Sequence, residues 1–260
     1  MAKQHSPTGH KTLSIGGATF DLFVRTGEAL ETDKTAHMLL LPLGKKVRVQ
    51  EVIETCGGGA SNTAIGLQRL GCSAGFCGIV GSDQWGKRML ENLAKEGVDA
   101  TSATVIEHEM SSFSIILNTD SGERVILYAT GANAHLHDVT FDRECAATVD
   151  WVYFNHIHEK SSVIENDIVE IIKKNRKVGM SWNPGGRQLR HGIDDASNQA
   201  LLSVTTLLLL NKEEALLFTG KSTVEGATAT LLQGGAKMDY PGPGIILKPV
   251  ELSDFVLYGA

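Results

Sequence analysis

From Trp151 to Phe218 the chain alternates strand-like and helical runs, and this alternation restricts its fold more than any other feature. Trp151–Asn155, Val178–Trp182 and Thr205–Leu210 are short apolar runs. Ser161–Asn175 separates the first two. It carries Ile164, Ile168, Ile171 and Ile172 on one helical face and opens with a Ser162…Glu165 capping-box pattern. Asp194–Ser203 and Lys212–Phe218 also read as helices, the second stopped by Gly220. Strands that alternate with helices predict a parallel sheet covered on both faces.

The first half departs from this rhythm. Leu13–Gly17 is an apolar run ending in Gly-Gly, Ser61–Leu70 a helix closed by Gly71, and Ser73–Val80 a strand. Asp83–Glu96 is a helix with Trp85, Met89, Leu90 and Leu93 on one face and Gly97 beyond its end. Phe113–Asn118 and Arg124–Ala129 form a hairpin through the turn Thr119–Glu123. The hairpin, Phe20–Arg25 and Val47–Ile53 have no place in an alternating sheet. They predict a separate small sheet, a lid over the site. An apolar lid face needs cover, so a homodimer through the lid is expected.

Composition narrows the function. A chain of 260 residues has ample core, and its net charge of −6, with no stripe of Lys or Arg, argues against nucleic acid as a partner. Cys56, Cys72, Cys77 and Cys145 form no C-x-x-C pair and fit no zinc module. They read as reduced thiols of a cytoplasmic protein. The longest apolar runs, Met38–Leu41 and Leu207–Leu210, are far too short to span a membrane. Met1–Lys11 is polar and reads as a disordered tail.

In open parallel sheets, ligands bind beyond the carboxyl ends of the strands. By pattern Asp21, the Gly57–Asn62 turn, Asn183 and Asn211 fall there. Gly57, Gly58 and Gly59 follow a β-patterned stretch and run into a helix, where backbone can approach a ligand closely. Asn62 adds an amide that both donates and accepts. Such a site suits a polyhydroxylated ligand or an anion, and the alternative is a tight turn capped by Ser61 or Asn62. Glu214, in the first turn of a helix, can hold Mg²⁺ through water, and Asn211…Glu214 is equally a capping box. Arg187, in the turn Asn183–Arg187, can fork onto a phosphate. Gly220-Lys221-Ser222 follows a helix where a P-loop precedes one, so Gly220 reads as a helix cap. His156 and His158 share a strand face, but no third metal ligand stands out by spacing.

Five segments, in order, resemble the ribokinase-like (PfkB) family of sugar and nucleoside kinases. They are Gly16–Asp21, Gly57–Asn62, Gly78–Gly86, Gly131–Leu136 and Asn211–Glu214. The resemblance covers residues 13 to about 237. It implies a three-layer α/β/α core with a mainly parallel sheet and a small β-sheet lid. It also implies an ATP donor, Mg²⁺ and a small sugar or nucleoside substrate. Asp21, Gly58, Gly59 and Asn62 then hold the sugar hydroxyls, while Asn211 and Glu214 serve phosphates and metal. Ribokinase itself carries a lysine at the position of Gly59, a departure that bears on the choice of sugar.

The family continues into a G-A-G-D turn whose aspartate is the catalytic base. Here Asp239 and Asp254 are the only aspartates after Asn211, and neither follows G-A-G. The residues from Met238 hold Pro241, Pro243 and Pro249 and resemble neither the family nor a clean helix or strand. The expected division is therefore a tail over 1–11, a kinase domain over 12–237 that is incomplete at its C-terminus, and an atypical tail over 238–260. A frameshift or truncation is the simplest expectation for the origin of that tail. The expected activity is phosphorylation of a sugar or nucleoside hydroxyl, weak or absent in this chain. A non-catalytic sugar- or nucleoside-binding remnant is the first alternative. A dinucleotide-binding domain of an oxidoreductase is the second, and against it no G-x-G-x-x-G follows the first strand.

Overall fold

In the computed structural model the apolar runs of the second half become neighbours in one sheet. The structure describes residues 9–26, 31–33, 35, 38–119, 122, 124–135, 141–155, 162–234, 244–248 and 256–258. In chain order, β1 (Lys11–Ile15), β2 (Thr19–Arg25), β3 (Glu31–Asp33), β4 (Met38–Leu40) and β5 (Glu51–Gly57) lead into α1 (Gly59–Arg69). Next come β6 (Ser73–Cys77), β7 (Ile79–Gly81), α2 (Gln84–Lys95), β8 (Thr104–Ile106), β9 (Phe113–Asn118) and β10 (Arg124–Ala129). A 3-10 turn, Gly131–His135, precedes α3 (Arg143–Thr148) and β11 (Trp151–Phe154). The remainder is α4 (Ser162–Lys174), β12 (Gly179–Trp182), α5 (Gly186–His191), α6 (Ala196–Leu202), β13 (Leu207–Asn211), α7 (Lys212–Thr219), α8 (Val224–Gly234), β14 (Gly244–Lys248) and β15 (Val256–Tyr258).

The large sheet has the order β15-β14-β13-β12-β11-β1-β6 and is parallel except for the edge strand β15. Helices cover both faces. Leu13 and Ile15 of β1 join Val152, Phe154, Met180 and Trp182 in an apolar cluster with Ile164, Ile168 and Ile172 of α4 and Phe218 of α7. Those α4 residues are the isoleucine stripe of the sequence, and each is at most 1% exposed. A second cluster gathers Ala60 and Ala64 of α1 with Phe76, Met89, Leu93 and Phe20.

The excess strands do build a second sheet, ordered β10-β9-β2-β5. The hairpin pairs antiparallel, β9 runs parallel to β2, and β2 pairs antiparallel with β5. Four consecutive residues of the edge strand β10, Val125 to Tyr128, are exposed. Successive side chains leave a strand on opposite faces, so both faces of β10 are open.

Several boundaries differ from the sequence reading. The strand expected over Val47–Ile53 runs over Glu51–Gly57 and so includes the first glycine of the turn. Ser73–Val80 is two strands. The chain breaks at Gly78, where a Cβ would lie 2.4 Å from the Gly16 carbonyl oxygen, and β7 pairs with β8 in a small sheet of its own. The turn around Asn183–Arg187 passes into α5 at Gly186. Lys11, placed in the tail, is the first residue of β1 and pairs with Ser73. Gly244–Lys248 and Val256–Tyr258, in a region read as neither helix nor strand, pair onto β13 and onto each other. Pairing with an existing strand edge decides such segments more than their intrinsic preference. Glu165, expected as half of a capping box with Ser162, whose side chain lies outside the described residues, accepts a 2.8 Å hydrogen bond from Gln188 Nε2. His156, His158, Asp239 and Asp254 lie outside the described residues. Among the described residues, no helix is long and apolar enough to cross a membrane.

Candidate functional site

Three strands of the large sheet end alike: Asn155 follows β11, Asn183 follows β12, and Asn211 closes β13. Asn155 Nδ2 donates to Asn183 Oδ1 at 3.0 Å, and Asn183 Nδ2 donates to the Leu209 carbonyl at 2.8 Å. The amides thus tie adjacent strand ends together. Tyr153, facing the same way as Asn155, shares side-chain hydrogen bonds with Thr63 and Asn155; burial nevertheless pushes its phenol upward. The strand-end edge is therefore joined to α1. Asn155 is the residue the sequence reading passed over, although an asparagine directly after an apolar run is the signal that marked Asn183 and Asn211.

The glycine turn packs against this edge. Gly58 caps α1 with φ +97°, and a Cβ there would stand 2.5 Å from the Gly17 carbonyl oxygen. At Gly59 a Cβ would meet Asn155 Oδ1 at 2.2 Å, so the Asn155 amide fills the space a side chain at 59 needs. Neither Ser61 nor Asn62 is the cap. Ser61 is buried, and Asn62 lies in the first turn of α1, its N–H bonded to the Gly58 carbonyl at 2.9 Å. Close backbone packing thus accounts for Gly58 and Gly59.

Asp21 lies inside β2, not beyond the first strand of the large sheet, and sits between Thr55 of β5 and Ser114 of β9. Its carboxyl is half-buried. Burial raises its pKa, and a hydrogen bond from the Ser114 hydroxyl pulls the other way but does not cancel the rise. Its Oδ2 overhangs Gly57, where a Cβ would stand 2.1 Å away. Asn62 is exposed and lines an open cleft of about 640 Å³ between β5, α1 and α2, together with Phe20, Glu54, Arg69 and Arg88. Asp21 does not line that cleft. The two residues expected to share one ligand flank the glycine turn without meeting in a single described cavity.

Asn133, in the 3-10 turn, donates through Nδ2 to the Ala18 carbonyl at 3.1 Å, while its buried Oδ1 meets no hydrogen-bond donor among the described residues. It fastens the segment after the hairpin to the Gly16-Gly17 turn. The sequence marked its motif but assigned it no role.

Arg187, second residue of α5, faces Glu165 at 3.7 Å, and their side chains are 14% and 2% exposed. Burial raises the Glu165 pKa against the hydrogen bond from Gln188 and the charge of Arg187. The guanidinium is therefore engaged by a buried carboxylate. Asn211 and Glu214 form a complete capping box at the start of α7. Gly220 ends that helix at φ +67°, as the sequence predicts. Among the described residues no three His, Cys, Asp or Glu gather as a metal site.

The comparisons with known proteins agree with this architecture. The pattern described as pfkB family carbohydrate kinase matches residues 27–238. The chain is 28% identical over 197 residues to a ribokinase of Haemophilus influenzae, covering 74% of this chain and 62% of that one. It is 30% identical over 174 residues to a fructokinase of Escherichia coli, covering 64% and 56%. The chain therefore spans less than two thirds of the length of either relative. In fold it is similar to a ribokinase from Giardia lamblia, with a TM-score of 0.73 at 18% identity, covering 93% of this chain and 70% of that one. An Arabidopsis thaliana ribokinase solved with ribose and ATP gives 0.71 at 19% identity, covering 98% and 78%.

Proposed function

Because the chain belongs to the pfkB family of carbohydrate kinases, we propose that it binds a small sugar, free or within a nucleoside, beside the Gly57–Gly59 turn, as a step towards phosphoryl transfer from ATP. Asp21 carries the reading. Its half-buried carboxyl sits between β5 and β9 beside the glycine turn, burial raises its pKa, and among the described residues the Ser114 hydroxyl is the donor that offsets this. Vicinal sugar hydroxyls would supply the donors it lacks. Asn62 offers an amide on the other side of the turn, in the cleft that Asp21 does not line, and joins the same ligand only if the turn moves; Gly58 and Gly59 let that turn pack against Gly17 and Asn155. Positioning and charge stabilisation do most of the work in such a transfer.

ATP and Mg²⁺ belong to this reading. Asn211 and Glu214 stand at the start of α7, where unpaired N–H groups and the helix dipole favour phosphate. One oxygen of Glu214 is taken by the Asn211 N–H, and no neighbouring carboxylates complete a cage among the described residues. That donor set fits a hydrated Mg²⁺ finished by nucleotide phosphates. Bound there, Mg²⁺ neutralises charge on the phosphates. Arg187 joins the phosphate site only if it leaves Glu165.

No aspartate after Asn211 follows G-A-G, so no residue of this sequence is assigned as the base. General-base catalysis typically contributes about 10²–10⁴-fold. The same observation favours a second reading, sugar binding without turnover. The exposed apolar residues of β5 and β10, Val52, Ile53, Ile126 and Leu127 among them, suit a second copy of the chain.

Calorimetry with a panel of sugars and nucleosides tests the site. Asp21→Ala should weaken binding at least several-fold, and equal affinity in wild type and variant removes Asp21 from it. ADP release measured on the same panel separates turnover from none.

A further inference from the structure

We propose that Arg88 is a positioning residue for the sugar site, holding Asp21 in place from the opposite face of the small sheet. The inference rests on the reading of Asp21 as a sugar ligand.

Phe20 and Asp21 are consecutive in β2 and project to opposite faces. Phe20 is fully buried against α2. Its ring lies 4.3 Å from that of Trp85 and 6.1 Å from that of Phe113, and Trp85 and Phe113 are 5.8 Å apart. One residue each from β2, α2 and β9 makes this trio. The Arg88 guanidinium of α2 sits 5.0 Å over Phe20 and 5.8 Å over Trp85. It also reaches Glu54 of β5 in an ion pair of 2.5 Å. Cys56, opposite Phe20 in β5, donates its thiol to the Arg88 carbonyl at 3.8 Å.

One α2 residue thus grips both β2 and β5, the strands that carry Asp21 and lead into the glycine turn. If this grip loosens, the small sheet shifts against α1, and Asp21 moves with it. Arginine suits the task, because its planar group stacks on aromatic faces while pairing in its own plane with a carboxylate. The pair is partly exposed, at 46% and 42%, so salt screens the Glu54 arm more than the aromatic one.

The test is calorimetry on the full chain with D-ribose and D-fructose as probes. It compares wild type, Asp21→Asn, Arg88→Met, Glu54→Gln and the Asp21→Asn/Arg88→Met double variant. Arg88→Met should weaken sugar binding about fivefold or more, and Glu54→Gln less. On the Asp21→Asn background Arg88→Met should add no more than about a further twofold, because residues that act through one another are not additive. A merely structural role would instead weaken both backgrounds alike. Should Arg88→Met fold poorly, Arg88→Lys keeps the charge but loses the stacking and should give an intermediate loss. Additive effects, or wild-type affinity in the Arg88 variants alongside weak binding by Asp21→Asn, overturn the proposal and leave the site reading intact. Wild-type affinity in Asp21→Asn, or no binding of either sugar by wild type, overturns the site reading and this proposal with it.

Discussion

Asn211 and Glu214 exchange two hydrogen bonds of 2.8 Å, the N–H of each meeting the side-chain oxygen of the other. The contact that starts α7 uses Oε2 of Glu214 and leaves Oε1 outside the capping box. Capping and the proposed Mg²⁺ role are separable by chemistry. Glutamine serves a capping box as well as glutamate does but is a poor partner for a hydrated cation. Glu214→Gln should leave the thermal midpoint near wild type and raise the Mg²⁺ needed for nucleotide binding. Glu214→Ala should in addition cost about 1 kcal/mol of stability. An unchanged Mg²⁺ requirement in both variants would leave Glu214 as a cap alone.

Asp21 is expected to lower the stability of the ligand-free protein at neutral pH. Its folded pKa is raised, chiefly by burial. The stability tied to this group is full below the ordinary carboxylate pKa of about 4 and is lost as pH rises through the folded value. Asp21→Asn should therefore melt above wild type at pH 7, and the two should converge towards pH 4. Parallel melting curves across that range would count against a raised Asp21.

Asp83 should behave in the opposite sense. Burial acts to raise its pKa, but hydrogen bonds from the Ser111 hydroxyl and from the N–H groups of Gly86, Ser111 and Trp85 outweigh it and hold the carboxyl below its usual range. The Ser111 hydroxyl bond is 2.6 Å long. Asp83 caps α2 and ties it to the segment entering β9. Its contribution is present above about pH 4 and lost as pH falls through the depressed folded pKa. Asp83→Ala should cost about 2–3 kcal/mol at pH 7 by denaturant titration, the sum of a cap and a charged hydrogen bond. The gap should narrow in acid, and a constant gap would contradict the assignment.

Two glycines of α1 and its cap should respond in opposite directions. Gly58→Ala forces a Cβ onto the Gly17 carbonyl oxygen at a positive φ and should cost about 2–4 kcal/mol. Gly66, inside the helix with nothing within 4 Å of a would-be Cβ, should gain roughly 0.5–1 kcal/mol as alanine. Denaturant midpoints of the two variants decide this. Equal effects would show that the turn tolerates movement its packing denies.

Much of the fold was legible because local pattern and global placement agree. The Ile164, Ile168 and Ile172 stripe meets a parallel sheet whose central strands are buried on both faces, so period and run length identify each element. Disagreement marks the misses. Val47–Ile53 and the true strand Glu51–Gly57 differ because β5 is an exposed edge whose register comes from pairing with β2, not from an apolar pattern. Helix α8 (Val224–Gly234), with Gly226 and two threonines, has weak propensity and went unread. The site was legible as residue types and strand ends. The use of Arg187 was not, because its partner Glu165 stands 22 positions earlier and nothing in either local pattern joins them.

The sequence by itself determined the alternating core, the separate small sheet, the helix ends at Asp83, Asn211 and Gly220, and the family. These follow from periodicity, caps and motif order, which act over a few residues at a time. Only the tertiary structure decided that Asn155 occupies the space at Gly59, that Asp21 and Asn62 flank the glycine turn without sharing a described cavity, and that Arg88 grips Phe20 and Glu54. Each depends on which faces of distant elements meet, and that is set by packing two sheets and their helices at once.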